Sequence, residues 1–247
     1  MNIEITVTLI QLISIILAGI VLFLGVYIML PNWNYKLNKP YKWVEEAKKT
    51  LPSRLKMIEQ NYDDKVRFYT FWFQIERLKR ENIKGAFAEL GVYKGETARF
   101  THLMDDSRKF HLFDTFDGFK EGDLKEESSD DKKYSTDNFS DTSIERVKDF
   151  IDGNDNIFLH KGYFPETVNE VDEKEFAFVH LDADLYKPTL AGLKYFYPRL
   201  AKGGVMFIHD YNHNWDGVRK AINEFRKDND IIISEVADMQ GSLMILK

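Results

Sequence analysis

From Ile5 to Leu30 the chain runs twenty-six residues without one charged side chain, whereas charge is spread through all that follows. At a rise of 1.5 Å per residue this run makes a helix of about 39 Å, longer than the hydrocarbon core of a bilayer at about 30 Å. A cleaved signal peptide would open on a basic segment, carry a shorter apolar core and end in small residues. Here the chain opens Met1-Asn2-Ile3-Glu4, which is acidic. The run therefore reads as a single membrane anchor over residues 1–31. Trp33, Tyr35, Lys36, Lys39, Tyr41, Lys42 and Trp43 follow it, aromatic residues mixed with cations. The positive-inside bias then places everything after the anchor in the cytoplasm and the short N-terminus outside.

Residues 32–54, flanked or punctuated by Pro31, Pro40 and Pro52, read as a juxtamembrane linker, leaving 55–247 as the folded domain. That length suffices for one α/β domain with a real core. The chain has 34 Lys and Arg against 40 Asp and Glu, a net charge of −6. No basic face is available for nucleic acid. It has no Cys, hence no disulfide and no thiolate metal site.

Leu55 to Glu81 has helical spacing and holds Phe68, Tyr69, Phe71, Trp72, Phe73, Ile75 and Leu78, a stripe expected to be core and able to serve as a homodimer face. Strand and helix signals then alternate. Strands are expected at 83–90, 109–113, 156–160, 176–181 and 205–208, and helices at 96–104, 143–151, 187–200 and 215–227. Such alternation predicts a mostly parallel sheet with right-handed crossovers. Two closing strands, 231–236 and 243–246, separated by Asp238-Met239-Gln240-Gly241, predict a terminal antiparallel hairpin. The stretch 121–141 is polar and acidic and reads as a long excursion without a core of its own.

Four strand ends carry residues suited to chemistry. Glu89-Leu90-Gly91-Val92-Tyr93-Lys94-Gly95-Glu96-Thr97 follows the first strand, and glycine there allows a tight turn and close approach of a ligand. The dinucleotide G-x-G-x-x-G pattern is absent because Tyr93 stands where its second glycine would. An acid such as Glu89 would suit the ammonium of a cationic ligand. Asp114, with Asp117 beyond it, ends the second strand 25 residues after Glu89, where an acid commonly accepts ribose hydroxyls. Asp182 and Asp184 end the fourth strand, and His209, Asp210 and His213 the fifth. Asp182, Asp210 and His209 would make a hard, mostly oxygen site for Mg²⁺.

These pieces together resemble the macrocin-type O-methyltransferases, enzymes of the Rossmann-like class I methyltransferase fold with a seven-stranded, mostly parallel sheet. The resemblance runs from Glu89 to about Phe225. It rests on Glu89-x-Gly91-x-x-x-Gly95, Asp114-Thr115-Phe116-x-Gly118-Phe119, Gly162-Tyr163-Phe164-Pro165-Glu166-Thr167, His180-Leu181-Asp182-Ala183-Asp184-Leu185-Tyr186, and Tyr197-Pro198-Arg199-Leu200 with Gly203-Gly204 and Asp210-Tyr211. It implies transfer of a methyl group from S-adenosylmethionine to a sugar hydroxyl with Mg²⁺. Glu89, Gly91, Gly95, Thr97, Asp114 and Asp117 would then hold the cofactor, and Asp182, His209 and Asp210 the metal. The family's usual Asp-Asp before the Tyr is here His209-Asp210, so the site is weaker for Mg²⁺, or takes Mn²⁺ more readily, or gives His209 another role. Asp182, Asp184 or His213 would be the base, and 121–141 a lid. The anchor suggests a glycolipid or other sugar-containing acceptor at the inner membrane face. Two rival readings are a membrane-tethered glycosyltransferase using Asp182-x-Asp184 to bind a metal and nucleotide-sugar, and a non-catalytic interaction protein on the same scaffold.

Overall fold

The structure, a computed structural model, describes residues 2–29, 39–127, 134–213 and 216–247. It divides into two compact units, Met1–Leu51 and Pro52–Lys247. The first holds helices α1 (Asn2–Met29) and α2 (Tyr41–Lys49). Within α1, Thr8–Tyr27 has a mean hydropathy of 2.7. Among the described residues it is the one helix whose length and composition suffice to cross a membrane. Trp33, Tyr35 and Lys36 of the expected aromatic belt lie outside the described residues.

The second unit opens with α3 (Ser53–Asn61) and α4 (Lys65–Arg80), two helices where the spacing predicts one. The break has a local cause. Asp64 accepts a hydrogen bond from Arg67 N at 3.0 Å and so caps a new helix, satisfying a backbone donor that an uncapped helix start leaves orphaned. Then follow β1 (Ala86–Leu90), α5 (Glu96–Met104), β2 (Phe110–Asp114), the short α6 (Glu121–Leu124), α7 (Ile144–Ile151) and β3 (Ile157–Lys161). The chain closes with β4 (Phe176–Leu181), α8 (Tyr186–Arg199), β5 (Leu200–Ile208), α9 (Asp216–Asp228), β6 (Ile233–Glu235) and β7 (Leu243–Leu246). The expected start of the last long helix at Trp215 lies outside the described residues.

The sheet order is β3-β2-β1-β4-β5-β7-β6. The strands β1 to β5 pair in parallel, while β7 is antiparallel to both β5 and β6. This is the mostly parallel seven-stranded sheet with an antiparallel end that the sequence pattern predicts. Strand direction of growth reverses between β1 and β4, and in open α/β sheets that switch point opens a crevice at the carboxyl ends of the strands.

Side chains alternate across each strand, and both faces are covered. On one, Phe71 of α4 meets Phe178 at 5.0 Å, Phe207 at 4.6 Å and Phe100 of α5 at 5.8 Å between ring centroids. On the other, Ala88, Leu90, Val179, Leu181, Met206 and Ile208 pack with Leu193 and Phe196 of α8 and Val218, Ile222 and Phe225 of α9. The stripe on α4 is core as expected, apart from Phe73, which is exposed.

Candidate active site

The carboxyl ends of β1, β2, β4 and β5 enclose a cavity of about 480 Å³. Its floor is an interlock of two loops. Gly91 N donates to Phe113 O at 2.9 Å, and Asp182 N donates to Leu90 O at 2.7 Å. The turn after β1 thereby lies directly against the start of the turn after β4. Gly91 has φ +89°, and a Cβ there would sit 1.8 Å from the carbonyl oxygen of Asp182. Only glycine fits, for both reasons. This cradle of backbone is open to the cavity, and it is the kind of surface a flat or elongated cofactor approaches closely.

Asp114 secures the same cradle. Its Oδ2 accepts from Val92 N at 2.7 Å and Tyr93 N at 2.9 Å, and its Oδ1 accepts from Phe116 N at 2.7 Å. A carboxylate offers about four lone-pair positions, so the side chain, which lines the cavity, keeps capacity for a ligand hydroxyl. Gly91, Gly95 and Thr97 line the cavity as expected. Two expected cofactor residues are placed elsewhere. Glu89 is fully buried within the sheet, where it accepts from His180 Nδ1 at 3.2 Å and from the Thr97 hydroxyl. Its carboxylate is taken up by His180, its register partner on β4, and by Thr97, and it is not among the residues lining the cavity. Burial raises its pKa, against the lowering effect of His180 and Thr97. Asp117 is exposed, lies 3.7 Å from Lys120 and is not part of the cavity wall.

Asp182, His209 and Asp210 converge beside the cradle, with ligand atoms all within 4.8 Å of one another. Successive residues of a strand face opposite ways, so His209 and Asp210 meet at one point only because β5 has ended and Asp210 is left-handed, with φ +61°. His209 Nδ1 lies 2.7 Å from Asp182 Oδ1 and 3.0 Å from Asp210 Oδ2. One ring nitrogen is therefore within pairing distance of both carboxylates. On the other side of the ring, Nε2 meets the guanidinium of Arg67. Burial alone would lower the His209 pKa, but the two carboxylates outweigh it and push it up to about 10. Burial would likewise raise Asp182, yet His209, with His180 and Arg67, holds it well below the usual carboxylate range. Asp184, also on the wall, is driven well above that range by burial and by repulsion from Asp182 and Asp210. Two carboxylates and a buried imidazole nitrogen whose ligand atoms lie within 4.8 Å of one another fit a divalent cation.

His213 lines the same wall. Tyr62, Arg67 and Gln240 line it too and come from outside every strand-end motif. Arg67 is held at 3.4 Å from Asp64 and 3.6 Å from Asp238. Its sequence signal is a charge in phase with Phe71, Ile75 and Leu78 on the buried stripe of α4. Of the expected lid, residues 128–133 lie outside the described ones. The described parts form no core of their own and instead complete the cavity wall. Phe139 packs at 4.9 Å from Tyr93 and 5.3 Å from Phe119. Asp123 accepts from the Tyr163 hydroxyl at 2.9 Å, and Glu127 accepts from Tyr186 N at 2.7 Å.

Known proteins resemble the chain in sequence and in fold. The family model of the Macrocin-O-methyltransferase (TylF) matches residues 56–241. The 8-demethyl-8-(2,3-dimethoxy-alpha-L-rhamnosyl)-tetracenomycin-C 4'-O-methyltransferase of Streptomyces olivaceus is 24% identical over 163 residues, and the match spans 62% of this chain and 62% of that relative's length. Among solved structures, the O-methyltransferase NovP has a TM-score of 0.64 at 21% identity, covering 74% of this chain and 80% of NovP. The calicheamicin methyltransferase CalS11 has a TM-score of 0.56 at 19% identity, covering 72% and 79%. These two establish the fold, and the family match, over most of the chain, establishes the lineage. The chain belongs to the macrocin-O-methyltransferase family.

Proposed function

We infer that this protein transfers the methyl group of S-adenosylmethionine to a sugar hydroxyl, with a divalent cation at Asp182, His209 and Asp210. One observation carries the reading: the glycine cradle at Gly91 and the acidic cluster at Asp182 adjoin in the lining of a single cavity and are joined by the Asp182 N–Leu90 O hydrogen bond. The relative from Streptomyces olivaceus is named for a rhamnosyl acceptor, which supports a sugar.

The reaction is an in-line displacement in which an acceptor oxygen–carbon bond forms as the sulfur–carbon bond breaks. A bound divalent cation would lower the pKa of a sugar hydroxyl and orient it. The chain's own residues do the rest. The Gly91–Tyr93 turn, braced by Asp114, fixes the cofactor side of the cavity. Tyr93, Phe119 and Phe139, in ring contact through Phe139, line it with apolar surface. Asp184 and His213, on the wall outside the metal set, are the candidate acceptors of the hydroxyl proton. Fixed geometry of this kind is worth about 7–11 kcal/mol of barrier in well-oriented systems.

The apolar run of α1 supports tethering to a membrane, with the acceptor a sugar-bearing molecule reached from that surface, a glycolipid precursor among them. The test is incubation of the full chain with methyl-labelled S-adenosylmethionine and a panel of glycosides and glycolipid extracts, with and without a chelator. Label entering a sugar in a chelator-sensitive way is the expected result. Label entering no glycoside or glycolipid, with intact binding of S-adenosylhomocysteine, would refute the sugar assignment.

A further inference from the structure

His209 stands where the family pattern has a second carboxylate, and its surroundings decide what it does there. The imidazole is buried. Its Nδ1 lies 2.7 Å from a carboxylate oxygen of Asp182 and 3.0 Å from one of Asp210. A side chain that merely paired with Asp182 would need one of those contacts. Here the imidazole nitrogen stands beside both carboxylates, and the three ligand atoms lie within 4.8 Å of one another, close enough to share one ion. The left-handed Asp210 is the backbone feature that brings the two adjacent side chains together.

We propose that His209 ligates the cation through Nδ1 and makes the site selective for a first-row transition ion, with Mn²⁺ or Co²⁺ bound in preference to Mg²⁺. Magnesium demands near-ideal octahedral oxygen coordination and parts reluctantly with its waters. Imidazole nitrogen adds affinity for transition ions along the series from Mn²⁺ upward, while the two carboxylates remain good ligands for manganese. The donor set Asp182, His209 and Asp210 is therefore mismatched to magnesium and matched to manganese or cobalt.

Arg67 opposes the bound state. A ligating Nδ1 leaves the ring proton on Nε2, and Nε2 faces the Arg67 guanidinium, which also donates. Asp64 and Asp238, at 3.4 and 3.6 Å, are the alternative partners toward which the guanidinium turns when the ion binds. Arg67 thus weakens the site, and replacing it by glutamine, whose carbonyl accepts the Nε2 proton, strengthens it.

The inference concerns which ion binds and by which atom, and it rests on the methyl-transfer reading only for what the ion does. Its test therefore uses no turnover. The full chain is titrated with Mn²⁺ and followed by electron paramagnetic resonance, with Mg²⁺ as competitor and S-adenosylhomocysteine stabilisation as the check on folding and on the cofactor site. Bound Mn²⁺ in the unaltered chain is expected to show nitrogen modulation from directly coordinated imidazole in electron spin-echo spectra. In His209→Asp that signal disappears, and Mn²⁺ affinity falls relative to Mg²⁺ by about 10–100-fold, the range typical when groups around a metal are altered. In Arg67→Gln, Mn²⁺ binds more tightly. No Mn²⁺ binding, Mn²⁺ bound without nitrogen modulation, Mg²⁺ competing on equal terms, or weaker Mn²⁺ binding in Arg67→Gln would each overturn the assignment. Loss of S-adenosylhomocysteine stabilisation in the unaltered chain would instead count against the methyl-transfer reading.

Discussion

Gly91→Ala adds one methyl group and tests whether the two halves of the site are built as one piece. The new Cβ would stand 1.8 Å from the oxygen and 2.6 Å from the carbon of the Asp182 carbonyl, both backbone atoms that no rotamer change can move. At φ +89° a side chain also costs about 1–2 kcal/mol of left-handed strain. Relief requires the turn after β1 to separate from β4, which gives up the Gly91–Phe113 and Asp182–Leu90 hydrogen bonds, each worth about 0.5–1.5 kcal/mol net. The sum is about 2–5 kcal/mol, a large part of a domain stability of about 5–15 kcal/mol. Gly95→Ala is the control. Its φ is similarly positive, +83°, but its nearest neighbour would be the Val147 side chain at 3.1 Å, so only the strain of about 1–2 kcal/mol applies. The assay is urea unfolding of both variants, together with titration of S-adenosylhomocysteine and Mn²⁺. Gly91→Ala is expected to lose more stability than Gly95→Ala and to weaken both ligands, because the cradle and Asp182 move together. Equal destabilisation of the two variants, or loss of one ligand alone from Gly91→Ala, would refute the interlock.

Asp182→Asn removes a charged ligand at the cavity centre, and turnover is expected to fall by at least about 100-fold while S-adenosylhomocysteine still stabilises the chain in melting experiments. Asp114→Asn turns an acceptor toward Val92 N and Tyr93 N into a group with a donor in one orientation, so weaker S-adenosylhomocysteine binding by calorimetry is the expected outcome. His111 lies far from the site, buried against Glu173 at 2.9 Å, and burial, only partly offset by Glu173, lowers its pKa from 6.5 to about 4. Its native pKa being below the unfolded value, the unfolded chain takes up its proton first, so stability falls as pH drops from about 6.5 to about 4. At about 1.4 kcal/mol per unit the loss is about 3 kcal/mol, and urea midpoints across this pH range should decline less steeply in His111→Gln. Finally, the full chain is expected to fractionate with membranes and resist carbonate extraction, whereas a chain lacking residues 1–36 should not.

The alternation of strands and helices was legible because fully buried parallel strands are short apolar runs bounded by glycine and polar turns. Ala86–Leu90 and Phe176–Leu181 are such runs. The same logic placed Gly91, Asp114, Asp182 and Asp210 at one crevice, and they line one cavity, since strand ends in this topology lie side by side. It misplaced Glu89, because a strand's last acid can face the cavity or the adjacent strand, and the choice is set by register with His180, a long-range fact. It merged α3 and α4 because the cap at Asp64 looks like any other aspartate in a polar stretch. It missed Arg67 and Gln240, which reach the site from α4 and the β6–β7 turn across the sheet rather than along it.

Arg67 also explains why the acidic cluster tolerates a histidine. With Asp182, Asp184 and Asp210 on the wall and Asp64 and Asp238 behind, five carboxylates crowd around one cavity end. Arg67 offsets Asp64 and Asp238, and His209 offsets Asp182 and Asp210, so each cation is bound to its own pair. An aspartate at 209 would leave the front group with four adjacent carboxyl groups and no protein cation except Arg67. His209 balances the two front carboxylates by itself, and under the proposed assignment the same imidazole would ligate the ion, with Arg67 setting the balance between the two roles.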